Sequence, residues 1–227
     1  MLGAIVGDIV GSTYEWHRTK DPGFELRPEG SAPTDDSILS IVVAEHLLTG
    51  GDLVSRMHEV VEDYPWAGWG GRFRMWAIAR MREPYNSFGN GSAMRTSAIG
   101  WIEGDLEHRL SVARRVAAVT HDHPEGIRGA ESTVAAIHWA REGRAPSEIR
   151  SLIVKRFGYD LSKSVDEIRP DYDFDETCQG TVPQAITAAL ESGDFEEAIR
   201  NAVSLGGDSD TVAAIAGGIA EALHGGV

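Results

Sequence analysis

Apolar residues at Leu2, Ile5, Val6, Ile9 and Val10 recur at three- and four-residue steps, which defines one face of an N-terminal helix. Gly3, Gly7 and Gly11 recur every fourth position and line a second face of it. Each glycine costs about 1 kcal/mol relative to alanine in a helix interior, so three in register call for close approach by another helix or a ligand. Asp8, Ser12 and Glu15 follow at helical spacing and aim the same way. Residues 19–33 are rich in Pro, Gly and charge and read as a loop. At its end Thr34 can cap a helix whose first turn carries Asp35 and Asp36. That helix continues through Ile38, Ile41, Val42, Glu45 and Leu48 and stops at Gly50-Gly51. Another starts near Asp52 and runs through Val54, Met57, Val60 and Val61.

The pattern continues as helix to the C-terminus. Tyr64-Pro65-Trp66-Ala67-Gly68-Trp69-Gly70-Gly71 is a turn-rich stretch whose aromatics form either a wall for a planar ligand or an anchor on the core. Residues 72–82 predict a short helix with Phe73, Trp76, Ala77 and Ile78 inward. Amphipathic helices follow over 106–119, 126–143 and 147–157, and 158–181 reads as mostly irregular, with a solvated acidic run at 171–176. Two more helices span 183–190 and 195–205. In the last helix Val212, Ile215, Ala216, Ile219, Ala220 and Leu223 share a face, while Ala213, Ala214, Gly217 and Gly218 keep the remainder slim. A slim C-terminal helix and a glycine-lined N-terminal helix are natural neighbours, and packing them brings Asp8 and Glu15 towards Asp208 and Asp210. No strand pattern and no internal repeat is present. The expectation is an all-α, compact, orthogonal multi-helix fold with residues 1–227 forming one domain.

Composition changes this picture little. Hydrophobic residues make up 42% of 227, and no apolar run approaches membrane-spanning length. The single Cys178 excludes an internal disulfide and fits a reducing compartment, so a cytoplasmic protein is expected. A formal net charge of −14 argues against general nucleic-acid binding, yet leaves room for a small anion in a local pocket and would suit bound cations. The sequence leaves the oligomeric state open, a monomer being one option.

Chemistry concentrates in four places. Gly206-Gly207-Asp208-Ser209-Asp210-Thr211 sets two carboxylates and a hydroxyl directly before the last helix. It reads equally as a helix cap and as oxygen ligands for a hard divalent cation, and the two roles are compatible. If the helix starts only after Asp210, Asp208 and Asp210 both face one ion from an extended segment. Thr34-Asp35-Asp36-Ser37 reads as its near mirror image. With Glu15 added, five carboxylates face two divalent cations, a pair suited to activating water and polarising substrate oxygens. The third place is Ser87-Phe88-Gly89-Asn90-Gly91-Ser92-Ala93-Met94-Arg95, a glycine-rich turn whose backbone N–H groups can cradle a phosphate, although it lacks the Lys-Ser/Thr ending of a P-loop. The fourth is Thr120-His121-Asp122-His123, open to a metal, ligand or purely structural reading.

Taken in order, Gly7-Asp8-x-x-Gly11-x-x-x-Glu15, Thr34-Asp35-Asp36, Gly89-Asn90-Gly91-Ser92-Ala93-Met94-Arg95, Thr120-His121 and Gly207-Asp208-Ser209-Asp210-Thr211 resemble the ADP-ribosylglycohydrolase family over nearly the whole chain. That family includes the dinitrogen-reductase-activating glycohydrolase. The resemblance implies an all-α fold with a dinuclear Mg²⁺ or Mn²⁺ centre in a cleft, held by Thr34, Asp35, Asp36, Asp208, Asp210 and Thr211. It implies that Glu15 assists catalysis with Asp35 and Asp210, and that Gly89, Asn90, Gly91 and Ser92 hold the diphosphate and distal ribose. His121 falls at a ligand-contacting position, and Asp8 orients a neighbour. The implied reaction is hydrolysis at the anomeric carbon of the distal ribose, releasing ADP-ribose from an acceptor. Two other readings stand beside it: an inactive ADP-ribose-binding relative, and a metal-dependent phosphohydrolase centred on His121-Asp122.

Overall fold

A computed structural model describes residues 1–227. It holds twelve α-helices and no strand; the only β-type pairing is an isolated antiparallel bridge between Gly89 and Thr177. The first helix, α1 (Leu2–Trp16), is followed by the expected loop and then by α2 (Asp35–Thr49). The Thr34 side chain accepts from the Asp36 N–H to cap α2, and Gly50, at φ 70°, ends it. Asp52 caps α3 (Leu53–Asp63) in the same way.

Helix α4 (Gly71–Ile78) stops four residues before the predicted end. Phe73, Trp76 and Ala77 are buried as expected, but Ile78 is 58% exposed. The chain turns out of the helix at Arg80, whose φ is +52°, and leaves Ile78 on the outer face. Next come α5 (Gly91–Met94), a 3₁₀ turn at Ser97–Trp101, and α6 (Leu106–Ala118). Helix α7 (Pro124–Arg141) has Pro124 in its first turn and His123 as its N-cap, with His123 Nδ1 accepting the Glu125 N–H.

After α8 (Pro146–Phe157) the stretch expected to be irregular contains a short helix, α9 (Val165–Ile168). A larger departure is α10 (Cys178–Leu190), which begins five residues before the predicted start. Thr177 caps it, and Pro183 lies inside rather than at the first turn. The proline forfeits one backbone bond. Burial of Val182, Ala185 and Ile186 offsets that loss, so Pro183 does not mark the boundary here.

Helices α11 (Phe195–Val203) and α12 (Ser209–His224) complete the chain. Every residue of α12 from Ser209 to Ala220 is buried, which is why its sequence is apolar all round. It runs through the centre, with α7, α10 and α11 against it and α1 lying along the remaining side. The α1–α12 contact is backbone on backbone: a Cβ at Gly3, Gly7 or Gly11 would sit 2.2, 2.0 or 2.4 Å from the carbonyl oxygens of Gly217, Ala213 and Ser209. The Gly3 N–H and the Met1 ammonium both meet Glu221, which fastens the start of α1 to the far end of α12. A cluster of 51 buried apolar residues extends from Val10 to Ile219. No helix is long and apolar enough to cross a membrane.

Candidate functional site

Close approach of α1 to α12 carries Asp8, at the middle of α1, to the point where α2 and α12 both begin. Asp8 is fully buried. Its Oδ1 accepts from Thr34 Oγ1 at 2.7 Å, and its Oδ2 accepts from the N–H of Thr34 at 2.9 Å, the N–H of Ser37 at 3.1 Å and the Ser37 hydroxyl. A carboxylate has about four lone-pair sites, so Asp8 is nearly saturated. It braces the N-terminus of α2 from the neighbouring helix, where a negative charge is favoured.

Asp36 and Asp210 stand beside it, and one oxygen from each of Asp8, Asp36 and Asp210 lies within 4.8 Å of the others. Asp36 is buried; its Oδ2 accepts from Thr211 Oγ1 at 3.2 Å, and its Oδ1 has no partner at all. Asp210 Oδ1 accepts only the N–H of Thr211, at 2.9 Å. Asp208 Oδ2 accepts from Asn90 Nδ2 at 2.7 Å. Asp35 and Glu15 are half-buried and line the same cleft.

The 206–211 hexapeptide departs from expectation in one respect. Helix α12 begins at Ser209, so Asp210 already lies in the first turn, and Asp208 sits at the N-cap position without making a capping bond. Its carboxylate instead faces Asp210 and Asn90. The two acids meet because Asp208, just outside the helix, folds back over the first turn, not because both lie on an extended strand.

This crowding has a clear electrostatic signature. Burial, reinforced by neighbouring acids, holds the carboxyls of Asp35, Asp36 and Asp210 well above the usual carboxylate range. Asp208 is pushed up to about 6, mainly by burial. Glu15 is pushed up to about 7 by burial and by the charges of Asp210 and Glu176. Without a compensating cation, six acids cannot all ionise here cheaply.

Across the cleft the chemistry reverses. The 87–92 loop is pinned by the Asn90 N–H donating to the Glu176 carbonyl at 2.7 Å and the Cys178 N–H donating to the Phe88 carbonyl at 2.9 Å. Gly89, Asn90, Gly91 and His121 line the cleft with Tyr85 and Arg72. A methyl group on either Gly89 or Gly91 would lie 3.6 Å from His121 Nε2. The amide of Gly91, which lines the cleft, donates to no protein acceptor and is left for an anion. Arg72, exposed at the rim, stacks its guanidinium over the Tyr85 ring at 5.0 Å. His121 is buried, and burial together with Arg95 and Arg72 holds its imidazole well below the usual range, hence neutral.

The structure therefore brings Glu15, Thr34, Asp35, Asp36, Asp208, Asp210 and Thr211 to one wall and Gly89, Gly91 and His121 to the other. Two loop residues have different surroundings from those expected. Asn90 turns its amide into the fold, holding Asp208 and reaching Thr181 Oγ1 at 3.1 Å. Ser92 points away from the cleft, its hydroxyl donating to the Gly126 carbonyl at 2.7 Å, and it is fully buried and does not line the cleft. Asp122 parts from His121: it accepts from the Asn86 N–H at 2.8 Å and opens onto a different surface depression. The carboxylates that converge most closely are those of Asp8, Asp36 and Asp210, and neither His121 nor Asp122 joins them, so a centre built on His121-Asp122 lacks ligands. Arg72, Tyr85 and Glu176 also line the cleft, and no motif in the sequence marks them, since they come from the start of α4 and from two separate irregular segments.

Residues 1–226 match the ADP-ribosylglycohydrolase family model. The chain belongs to the ADP-ribosylglycohydrolase family. It is 26% identical to human ADP-ribosylhydrolase ARH3 over 306 aligned positions, covering 99% of this chain and 84% of the human one. It is 27% identical to ADP-ribosylarginine hydrolase Tri1 of Pseudomonas putida (strain GB-1), covering 99% of this chain and 69% of that protein. Among solved structures, an ADP-ribosylglycohydrolase-related protein complex superposes with a TM-score of 0.73 at 28% identity, covering 98% of this chain and 85% of the other. The alignment with human ARH3 runs over more positions than the 227 residues of this chain, so that relative carries insertions with respect to it.

Proposed function

We propose that the protein is a divalent-metal-dependent hydrolase that cleaves the glycosidic bond between ADP-ribose and an acceptor, releasing ADP-ribose. The observation that carries this reading is the two-sided cleft: an acidic, oxygen-only wall opposite the glycine loop, Arg72 and a neutral His121. Thr34, Asp35, Asp36, Asp208, Asp210 and Thr211 would hold two Mg²⁺ or Mn²⁺ ions. The donors fit such ions, because all are oxygens and the buried Asp36 Oδ1 has no protein partner. When bound, these cations supply positive charge that polarises substrate hydroxyls and makes water a better nucleophile.

The chain's own residues do the rest. The 89–92 loop receives the diphosphate through the Gly91 amide, with Arg72 adding positive charge at the rim. His121 contacts the ligand beside the same loop. Asp35 and Asp210 orient the distal ribose and the attacking water, and Glu15 takes the proton that water gives up. The leaving bond breaks through an oxocarbenium-like state, but two-carboxylate glycosidase logic does not carry over, since most of these acids are committed to metal. Residues 1–227 are read as one domain in a reducing compartment, consistent with a buried, unpaired Cys178.

The test incubates the protein with Mg²⁺ or Mn²⁺ and a panel of arginine-, serine- and nucleobase-linked ADP-ribose, following free ADP-ribose. Release that disappears in Asp35→Ala and Asp210→Ala is the expected result. Full metal-dependent activity in either variant would overturn the site. ADP-ribose binding with no release from any substrate would instead support the non-catalytic reading.

A further inference from the structure

Arg95 is fully buried, and no carboxylate compensates it. Its Nη2 donates to the Thr120 hydroxyl at 2.9 Å and to the Val116 carbonyl at 3.1 Å, while its Nε and Nη1 have no partner. An unpaired buried cation is a costly residue to keep for packing alone. Thr120, itself fully buried, lies 2.7 Å from His121 Nδ1, and its hydroxyl has no hydrogen-bond partner other than that nitrogen and Arg95 Nη2.

We propose that Arg95 is a positioning residue that, through Thr120 Oγ1, fixes the neutral Nε2–H tautomer of His121 and so provides one directed hydrogen-bond donor beside the 89–92 loop. The argument is a count of protons. A hydroxyl has one hydrogen and two lone pairs, and a guanidinium only donates, so Arg95 occupies one lone pair of Thr120 Oγ1. His121 Nδ1 is the one acceptor within reach of the Thr120 hydrogen, so donating it there requires a bare Nδ1. In the alternative, Nδ1–H donates to Thr120, and the buried Thr120 hydrogen is left without an acceptor. That arrangement aims the positive end of the imidazole dipole at a guanidinium one hydroxyl away, in a buried setting where such a misalignment is poorly screened. A bare Nδ1 facing Arg95 reverses the sign, so the charge of Arg95 selects between the two. The proton then sits on Nε2, the nitrogen that faces Gly89 and Gly91.

The tautomer follows from this geometry alone; its use towards a diphosphate or ribose oxygen rests on the functional reading above. The test is ¹⁵N NMR of histidine-labelled, ligand-free protein, with His121 assigned from a His121→Gln variant. Wild type is expected to show a pyrrole-type Nε2 and a pyridine-type Nδ1 across neutral pH; an Nδ1–H or cationic ring would overturn the proposal. Thr120→Val and Arg95→Met are expected to lose the single tautomer, and Thr120→Ser to retain it. An unchanged Nε2–H ring in Thr120→Val would overturn the relay. Should Arg95→Met not fold, Thr120→Val severs the same link with Arg95 in place and decides alone. In calorimetry, Thr120→Val should bind ADP-ribose about five- to tenfold more weakly, the worth of one hydrogen bond. Failure of wild type to bind ADP-ribose would sink the functional reading while leaving the tautomer assignment standing.

Discussion

Asn90 Nδ2 donates to Asp208 Oδ2 at 2.7 Å, joining the glycine loop on one side of the cleft to the acidic wall on the other. Because Asp208 makes no capping bond to its own helix, this amide is its only neutral donor from another element. Asn90→Ala is therefore expected to weaken Mg²⁺ binding by about 10- to 100-fold, the usual loss when an orienting partner of a metal ligand is removed. Calorimetric metal titration measures it, and unchanged affinity would show that Asp208 needs no external support.

The acidic wall should be more stable with less charge. Asp36 Oδ1 is buried without a partner, and the charges of Asp210 and Asp8 press on the same carboxyl. Asp36→Asn should raise the unfolding free energy of chelator-treated protein by about 1–3 kcal/mol while removing metal-dependent activity. Urea unfolding with and without Mg²⁺ separates the two effects. A loss of stability in the chelated state would contradict the repulsion argument.

The pH dependence has a definite sign. Asp208 and Glu15 titrate at about 6 and about 7 in the fold, above their ordinary values. Groups raised on folding contribute stability that is complete below their unfolded pKa and is lost as pH rises through the folded pKa. Metal-free protein should thus lose stability between about pH 4 and pH 7. Millimolar Mg²⁺ should restore it more strongly at about pH 8 than at about pH 5, because protonated acids do not bind the ion. Thermal melts at both pH values check this, and a Mg²⁺ effect independent of pH would refute it.

Packing of α1 on α12 gives a prediction free of any functional assumption. A Cβ on Gly7 would sit 2.0 Å from the Ala213 carbonyl oxygen, and both backbones are locked in helices. Gly7→Ala should cost about 1–3 kcal/mol by overpacking, and it should also loosen metal binding, since Asp8 is the next residue. Gly71→Ala, where a Cβ meets nothing within 4 Å, should stay within about 0.5 kcal/mol of wild type. Equal effects at the two positions would show that the helices can separate without penalty.

Much of this molecule is legible from local chemistry. Three glycines at four-residue spacing in α1, the small residues of α12, and caps such as Thr34, Gly50 and Asp52 act over a few residues, so they could be read without the fold. The ordered acidic motifs likewise pointed to one shared site, and the structure gathers them on one wall. Boundaries that depend on burial were not legible: Pro183 stays inside α10 because its neighbours are buried, and Ile78 faces out because the chain turns at Arg80. Hydrogen-bond direction was hidden for the same reason. Sequence alone names Asp8, Asn90, Ser92 and Arg95, but only packing decides that Asp8 braces α2, Asn90 holds Asp208, Ser92 turns inward and Arg95 reaches Thr120. Residue type determines which groups can donate or accept; distance and burial, set by contacts between residues as much as 220 positions apart, decide which of them meet.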